Sequence, residues 1–157
     1  MCGRFALATP REDLAEELGI FVPEDHRPRY NIAPGQPVLT VVAADGGRRA
    51  EWARWGLVPP WADDPSIGHR LINARAETAT QRPAFRHAFR HRRCLIPADG
   101  FYEWRREPHG KVPFYIRHTA RRPLTFAGCR CSRFTSGLPA GSIRKIRGPV
   151  LRGQGGR

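Results

Sequence analysis

Short apolar stretches alternate with glycine, proline and charged residues along the whole chain, and their spacing separates two helices from a larger set of strands. Thr9-Pro10-Arg11-Glu12 predicts a helix start, with Thr as the cap, Pro at the first helical position and Glu three residues after the cap. Leu14, Ala15 and Leu18 share one face of that helix, and Gly19 closes it. A loop rich in proline and charge runs from Val22 to Arg29. Pro37 to Ala43 is a β-branched run, Ala44-Asp45-Gly46-Gly47 reads as a hairpin turn, and Glu51 to Leu57 as the return strand.

His69 to Ala74 predicts another short strand, and Pro83 to His91 a second helix opened by proline. Further strands are expected over Cys94–Pro97, Phe101–Trp104, Pro113–His118 and Leu124–Gly128, with Gly110-Lys111 in a turn. Many short strands with two short helices predict an α+β class. The expected architecture is a single domain built on a curled antiparallel sheet or a β-barrel-like core, with short flanking helices. Past Gly128 the pattern changes. Residues 129–157 hold six glycines, seven basic residues and no acid, so residues 1–128 are expected to form the domain and 129–157 an unstructured basic tail.

At 157 residues the chain suits one domain with a real core, and a hydrophobic content of 40% with four tryptophans supports a folded body. No apolar run approaches the roughly 18 residues that would span a bilayer, and the start lacks a signal-peptide pattern. These features predict a soluble cytoplasmic protein with no membrane partner. Cys2, Cys94, Cys129 and Cys131 form no CxxC pair and are expected as free thiols. His87 and His91 stand at i, i+4 without the intervening Glu of an HExxH motif, which predicts a surface helix and no metal site. The net charge of +13 suits a polyanionic partner, nucleic acid first, and a solvated arginine-rich surface equally.

Cys2 directly follows the initiator methionine, so removal of Met1 would place an α-amine and a thiol on one residue. Such groups titrate at about 7.7–8.0 and about 8.5, so a useful fraction of each is nucleophilic near neutrality. A 1,2-aminothiol condenses with an aldehyde to a Schiff base and then closes through sulfur to a five-membered thiazolidine. The same residue could instead attack amides with its own amine as base. Elsewhere, Arg29 to Gly35 is a polar, turn-forming stretch, and Trp55 to Trp61 holds two aromatics on a proline-bearing loop. In an extended chain Asn73, Arg75 and Glu77 would share one face, and Glu103 lies between aromatics after a tight turn. Singly, each has a plain reading as a core tryptophan, a solvated arginine or an exposed strand carboxylate.

Together, MCGRF, RYNIAPGQ, WGLVPPW, INARAET and CLIPADGFYEW resemble the SRAP family (SOS response-associated peptidase domain proteins) from Met1 to about Gly128. That resemblance implies covalent capture of abasic sites in single-stranded DNA, protecting the lesion in the DNA damage response. Cys2 matches the crosslinking cysteine, Asn73 the asparagine that positions the sugar, and Glu103 the glutamate that moves protons. Arg4 and Arg75 match phosphate-holding positions, and Asn31 and Pro34 would line the same DNA-binding groove, with Trp55 and Trp61 close by. The resemblance implies no metal or organic cofactor, a monomer, and association with the nucleoid.

The family pattern continues into further core strands and a late His-x-Arg-Met-Pro motif, which this sequence lacks; its last histidine is His118. The C-terminal part of the family fold is therefore expected to be missing, as a frameshift or truncation in a GC-rich gene would produce. Loss of that histidine should slow Schiff-base formation or crosslink reversal rather than remove the nucleophile. The competing readings are a Cys2-dependent peptidase acting in autoprocessing, a non-covalent single-stranded DNA binder, and an inactive truncated product.

Overall fold

Residues 3–131 and the strand at 142–147 are described in a computed structural model of the chain. In chain order the elements are β1 (Arg4–Leu7), α1 (Arg11–Leu18), β2 (Arg29–Ile32), β3 (Pro37–Ala44), β4 (Gly47–Trp55), a 3-10 helix (Pro65–Arg70), β5 (Asn73–Arg75) and α2 (Ala76–Ala79). They continue with α3 (Arg86–His91), β6 (Arg93–Ala98), β7 (Gly100–Glu107), β8 (Gly110–Arg117), β9 (Leu124–Cys131) and β10 (Ser142–Arg147). One sheet has four strands in the order β2-β1-β7-β8, and the other has six in the order β4-β3-β6-β9-β10-β5.

Apolar residues of β1, β2, β3, β4 and β6 meet in a shared interior. Phe5, Ile32, Val38, Val41, Trp55 and Ile96 are all buried there, with Leu14 of α1 covering one end. Phe5 of the four-stranded sheet packs in edge geometry with two rings of the six-stranded sheet, Trp55 at 5.3 Å and Phe126 at 5.8 Å. A second, smaller cluster of Leu57, Ala74, Ala79, Phe85 and Cys131 seats α2 and α3 against β5 and the end of β9. The class is α+β, as the pattern predicts, and the six-stranded sheet is curled. Arg130 on β9 donates to Glu51 on β4 at 2.6 Å across the curl. No closed barrel results, because β10 reaches β4 through only two residue pairs. Those pairs, and the pairs of β10 with β5, are parallel, whereas the remaining pairings among the described residues are antiparallel.

Between β6 and β7 the chain passes from the six-stranded to the four-stranded sheet through one residue, Asp99. Its backbone N–H donates to Ala6 O at 2.8 Å, and its carboxylate accepts from Ala8 N at 2.5 Å, Thr9 N at 3.0 Å and the Thr9 hydroxyl. The corner thus pins the end of β1. It also explains a local departure from expectation: Thr9 does not cap α1, because its hydroxyl is taken by Asp99. Pro10 precedes the first turn with no side-chain cap, while Gly19 ends the helix in the left-handed conformation at φ 61°, as expected.

The fold departs from the sequence pattern at three further places. His69 and Arg70 lie in the 3-10 helix, because Asp64 accepts Ser66 N at 2.8 Å and Pro65 favours the first turn. Only Asn73 and Ala74 of the predicted His69–Ala74 stretch are strand. Arg29–Ile32, within the turn-forming stretch, is strand β2, held by its pairing with β1. Ser142–Arg147, within the stretch expected to be unstructured, forms β10, and β9 runs to Cys131.

Candidate functional site

β1 is paired on both sides, and this fixes where the first residues enter the fold. Arg4, Phe5 and Ala6 pair with Tyr102, Phe101 and Gly100 of β7, and Phe5 also pairs with Ile32 of β2. Continued by one position, the β1–β7 register sets Gly3 opposite Glu103. Cys2, the candidate nucleophile, lies outside the described residues. Glu103 is half-buried, with Phe114 as its cross-strand partner on β8. By alternation it stands on the face of Phe5 and Phe101.

Arg4 stands on the opposite face, exposed, and its guanidinium donates to Asn31 Oδ1 at 2.9 Å. Tyr102 shares that face as Arg4's register partner, and its hydroxyl donates to Tyr30 O at 2.9 Å. Asn73 opens β5 in the other sheet and is half-buried; Arg75, two residues on, is exposed. Glu77 does not join them on an extended face, because helix α2 begins at Ala76 and takes Glu77 into its first turn.

Trp55 links these two regions. Its Nε1–H donates to Ile72 O at 2.8 Å, immediately before Asn73, and its ring packs against that of Phe5, three residues after Cys2. The turn containing Pro34 is clipped to the same residue, with Gly35 N donating to Trp55 O at 2.7 Å and Trp55 N to Gln36 O at 3.0 Å. Trp55 is 1% exposed, so neither face of its ring is open to a base. Sealed between the sheets, the indole ties the segment entering Asn73 to Phe5. Trp61 is 60% exposed on the following loop, at the rim of a 280 Å³ hollow that also includes Pro83, His87 and Arg92. That loop leaves β4 through Gly56, at φ 135°, where a Cβ would lie 2.7 Å from Gly68 O.

Cys94, Cys129 and Cys131 are buried and take part in no disulfide. Burial, and next the neighbouring Cys129, push the Cys94 thiol up to about 12, which keeps it protonated and unreactive. His87 and His91 lie on α3 with rings 5.0 Å apart, both exposed and interleaved with Arg86 and Arg90. Among the described residues no group of three His, Cys, Asp or Glu side chains gathers in one place, and no helix is long and apolar enough to cross a membrane.

The sequence profile of the SRAP family, described as SOS response associated peptidase, matches residues 1–139. The chain belongs to the SRAP family. It is 46% identical over 132 residues to abasic site processing protein YoqW of Bacillus subtilis, covering 82% of this chain and 59% of that relative. It is 38% identical over 143 residues to abasic site processing protein YedK of Escherichia coli, covering 87% of this chain and 63% of that one. The chain thus spans less than two thirds of the length of these relatives. Among solved structures, a phage-related protein from Bordetella bronchiseptica superposes with a TM-score of 0.70 at 32% identity, covering 92% of this chain and 68% of that one. A Bacteroides thetaiotaomicron protein at 23% identity shares the fold with a TM-score of 0.79, covering 92% and 67% respectively.

In this SRAP chain the arrangement gathers Arg4, Asn31 and the Gly3–Glu103 register around β1, and holds Asn73 to the same core through Trp55. A partly buried carboxylate facing the incoming strand can move protons, and exposed arginines on neighbouring elements can hold phosphates. Sequence reasoning missed Asp99 as the residue that fixes the end of β1. The available signal was its position as the one charged residue of CLIPADGFY ahead of the Glu103 strand.

Proposed function

We propose that this chain covalently captures abasic sites in single-stranded DNA through a thiazolidine formed by Cys2. The Cys2 α-amine, freed by removal of Met1, adds to C1 of the ring-opened deoxyribose aldehyde, and water leaves to give the Schiff base. The thiol sulfur then adds to the imine carbon as its proton passes to the nitrogen, closing the five-membered ring. Glu103 moves protons in ring opening and dehydration, Asn73 orients the sugar, and Arg4 and Arg75 hold phosphates. Asn31, Pro34 and Trp61 contribute to the strand-binding surface. No metal or organic cofactor enters these steps. The protein acts as a monomer in the DNA damage response, at the nucleoid.

The observation that carries this reading is the β1–β7 register, which sets Gly3, the residue after Cys2, opposite the half-buried Glu103. The relatives at 46% and 38% identity that bear the name abasic site processing protein support the choice of substrate. To test it, the purified protein is incubated with a single-stranded oligonucleotide carrying one abasic site. A heat- and SDS-resistant adduct is expected, absent in Cys2→Ala and slowed in Glu103→Gln. A folded protein that forms no adduct would overturn the reading.

The family description, SOS response associated peptidase, favours a second reading in which Cys2 attacks an amide. Cleavage of a peptide in trans, abolished by Cys2→Ala and unaccompanied by a DNA adduct, would select it.

A further inference from the structure

The outward face of the four-stranded sheet carries a feature that the chemistry of Cys2 does not use. A hollow of about 340 Å³ opens there, lined by Tyr30, Tyr102, Tyr115, Arg117, Arg121 and Asp99. Tyr102 and Tyr115 are register partners on β7 and β8, and their rings lie 4.9 Å apart at 42°. Tyr115 reaches this position because Gly100 has no side chain: a Cβ there would lie 2.6 Å from the Tyr115 ring. Tyr102 is fixed by its hydrogen bond to Tyr30 O. Tyr30 is 68% and Tyr115 41% exposed. Trp104, one step further along the same face of β7, is 42% exposed.

The charge on this face is cationic and available. Arg121 holds a φ of 57°, an uncommon backbone state for a side chain other than glycine or asparagine, within a turn closed by its own N–H to His118 O at 3.0 Å. Neither Arg117 nor Arg121 has an ion-pair partner among the described residues. Asp99 could have neutralised one of them, but its carboxylate is occupied by Ala8 N, Thr9 N and the Thr9 hydroxyl. Arg4, hydrogen-bonded to Asn31, continues the basic track along β1 on the same face.

Exposed rings beside unpaired guanidiniums on a sheet face match the requirements of a single strand: stacking for bases and cations for phosphates. A simple anion would use the arginines and leave the rings without a role. We infer that this hollow is a second contact surface for single-stranded DNA, holding unmodified nucleotides that flank the captured lesion. The inference rests on the abasic-site reading for its ligand, yet it requires neither an aldehyde nor Cys2.

The test uses an unmodified, fluorescently labelled oligothymidylate of about 12 nucleotides, within the range a single such face covers. Binding is followed by anisotropy over a series of salt concentrations. Tyr115→Ala should raise Kd by about tenfold through loss of a stacking ring, whereas Tyr115→Phe, which keeps the ring, should stay within about twofold. Arg117→Ala with Arg121→Ala should make the slope of log K against log salt shallower by about 1.4, two single-strand phosphate contacts at about 0.7 each. Thermal melts confirm that each variant is folded. Wild-type affinity and salt slope in both folded variants would overturn the inference. So would displacement of the strand by inorganic phosphate alone at millimolar concentration. Loss of the abasic adduct in the parent protein with Tyr115-dependent binding intact would defeat only the Cys2 chemistry.

Discussion

Trp55 and Ile72 are joined by a 2.8 Å hydrogen bond from the indole Nε1–H to a backbone carbonyl, and through it the segment entering Asn73 is fixed to the ring packed on Phe5. Trp55→Phe keeps most of the buried ring and removes the donor, leaving Ile72 O without that partner. Stability should fall by about 1–3 kcal/mol in urea denaturation. If Trp55 positions Asn73, the rate of adduct formation on an abasic oligonucleotide should also drop, while affinity for unmodified single strands stays at the parent value. Equal losses in both would make the residue merely structural.

Glu51 is the acid that meets Arg130 across the curl at 2.6 Å, with side chains 9% and 22% exposed respectively. Glu51→Gln would strand a largely buried guanidinium, at a cost of about 3 kcal/mol. Replacing both residues with apolar side chains of similar volume should recover much of that loss. Chemical denaturation of the single and double variants separates lost attraction from an uncompensated charge.

The Cys94 thiol is raised from its ordinary 9.0 to about 12, by burial first. In the folded protein it holds its proton more tightly than in the unfolded chain. Its contribution to stability is therefore constant below pH 9 and declines as pH rises from 9 toward 12, by about 1.4 kcal/mol per unit. Cys94→Ala should show a shallower alkaline loss of stability than the parent. Iodoacetamide at pH 8 should leave native Cys94 nearly unlabelled and modify it rapidly in urea.

Gly100→Ala would bring a Cβ to 2.6 Å from both Ile116 O and the Tyr115 ring. The backbone contact cannot be relieved by a rotamer change, so a destabilisation of about 1–3 kcal/mol is expected in thermal melts. Tyr115 is the softer neighbour and should be displaced, with a corresponding change in its near-ultraviolet circular dichroism.

The long, regular parts of this fold are legible because one period governs each. Pro37–Ala43 reads as a β-branched run and Glu51–Leu57 as its return around a glycine turn; the structure pairs Pro37–Ala44 with Gly47–Trp55, residue for residue from Arg54 back to Gly47. Arg29–Ile32 is strand only because β1 lies beside it, and four residues with two charges or amides carry no periodic signal of their own. The same is true of Asp99, whose role comes from partners more than ninety positions away in the case of Ala8. At the candidate site, Arg4, Asn31, Asn73 and Glu103 were readable as polar residues in motifs. The sealing of Trp55 was not, since a tryptophan in a proline-bearing segment reads alike whether its ring faces solvent or Phe5.

The pinning of β1 by Asp99 and β7 has a consequence for biosynthesis. Ala8 and Asp99 are separated by 91 positions, so about 5–20 seconds pass at the ribosome between the two at ordinary synthesis rates. During that interval the emerging start of the chain has neither its corner clamp nor its inner strand neighbour. The removal of Met1 that an N-terminal thiazolidine requires can proceed in that interval, on a terminus whose anchoring partners have yet to be translated.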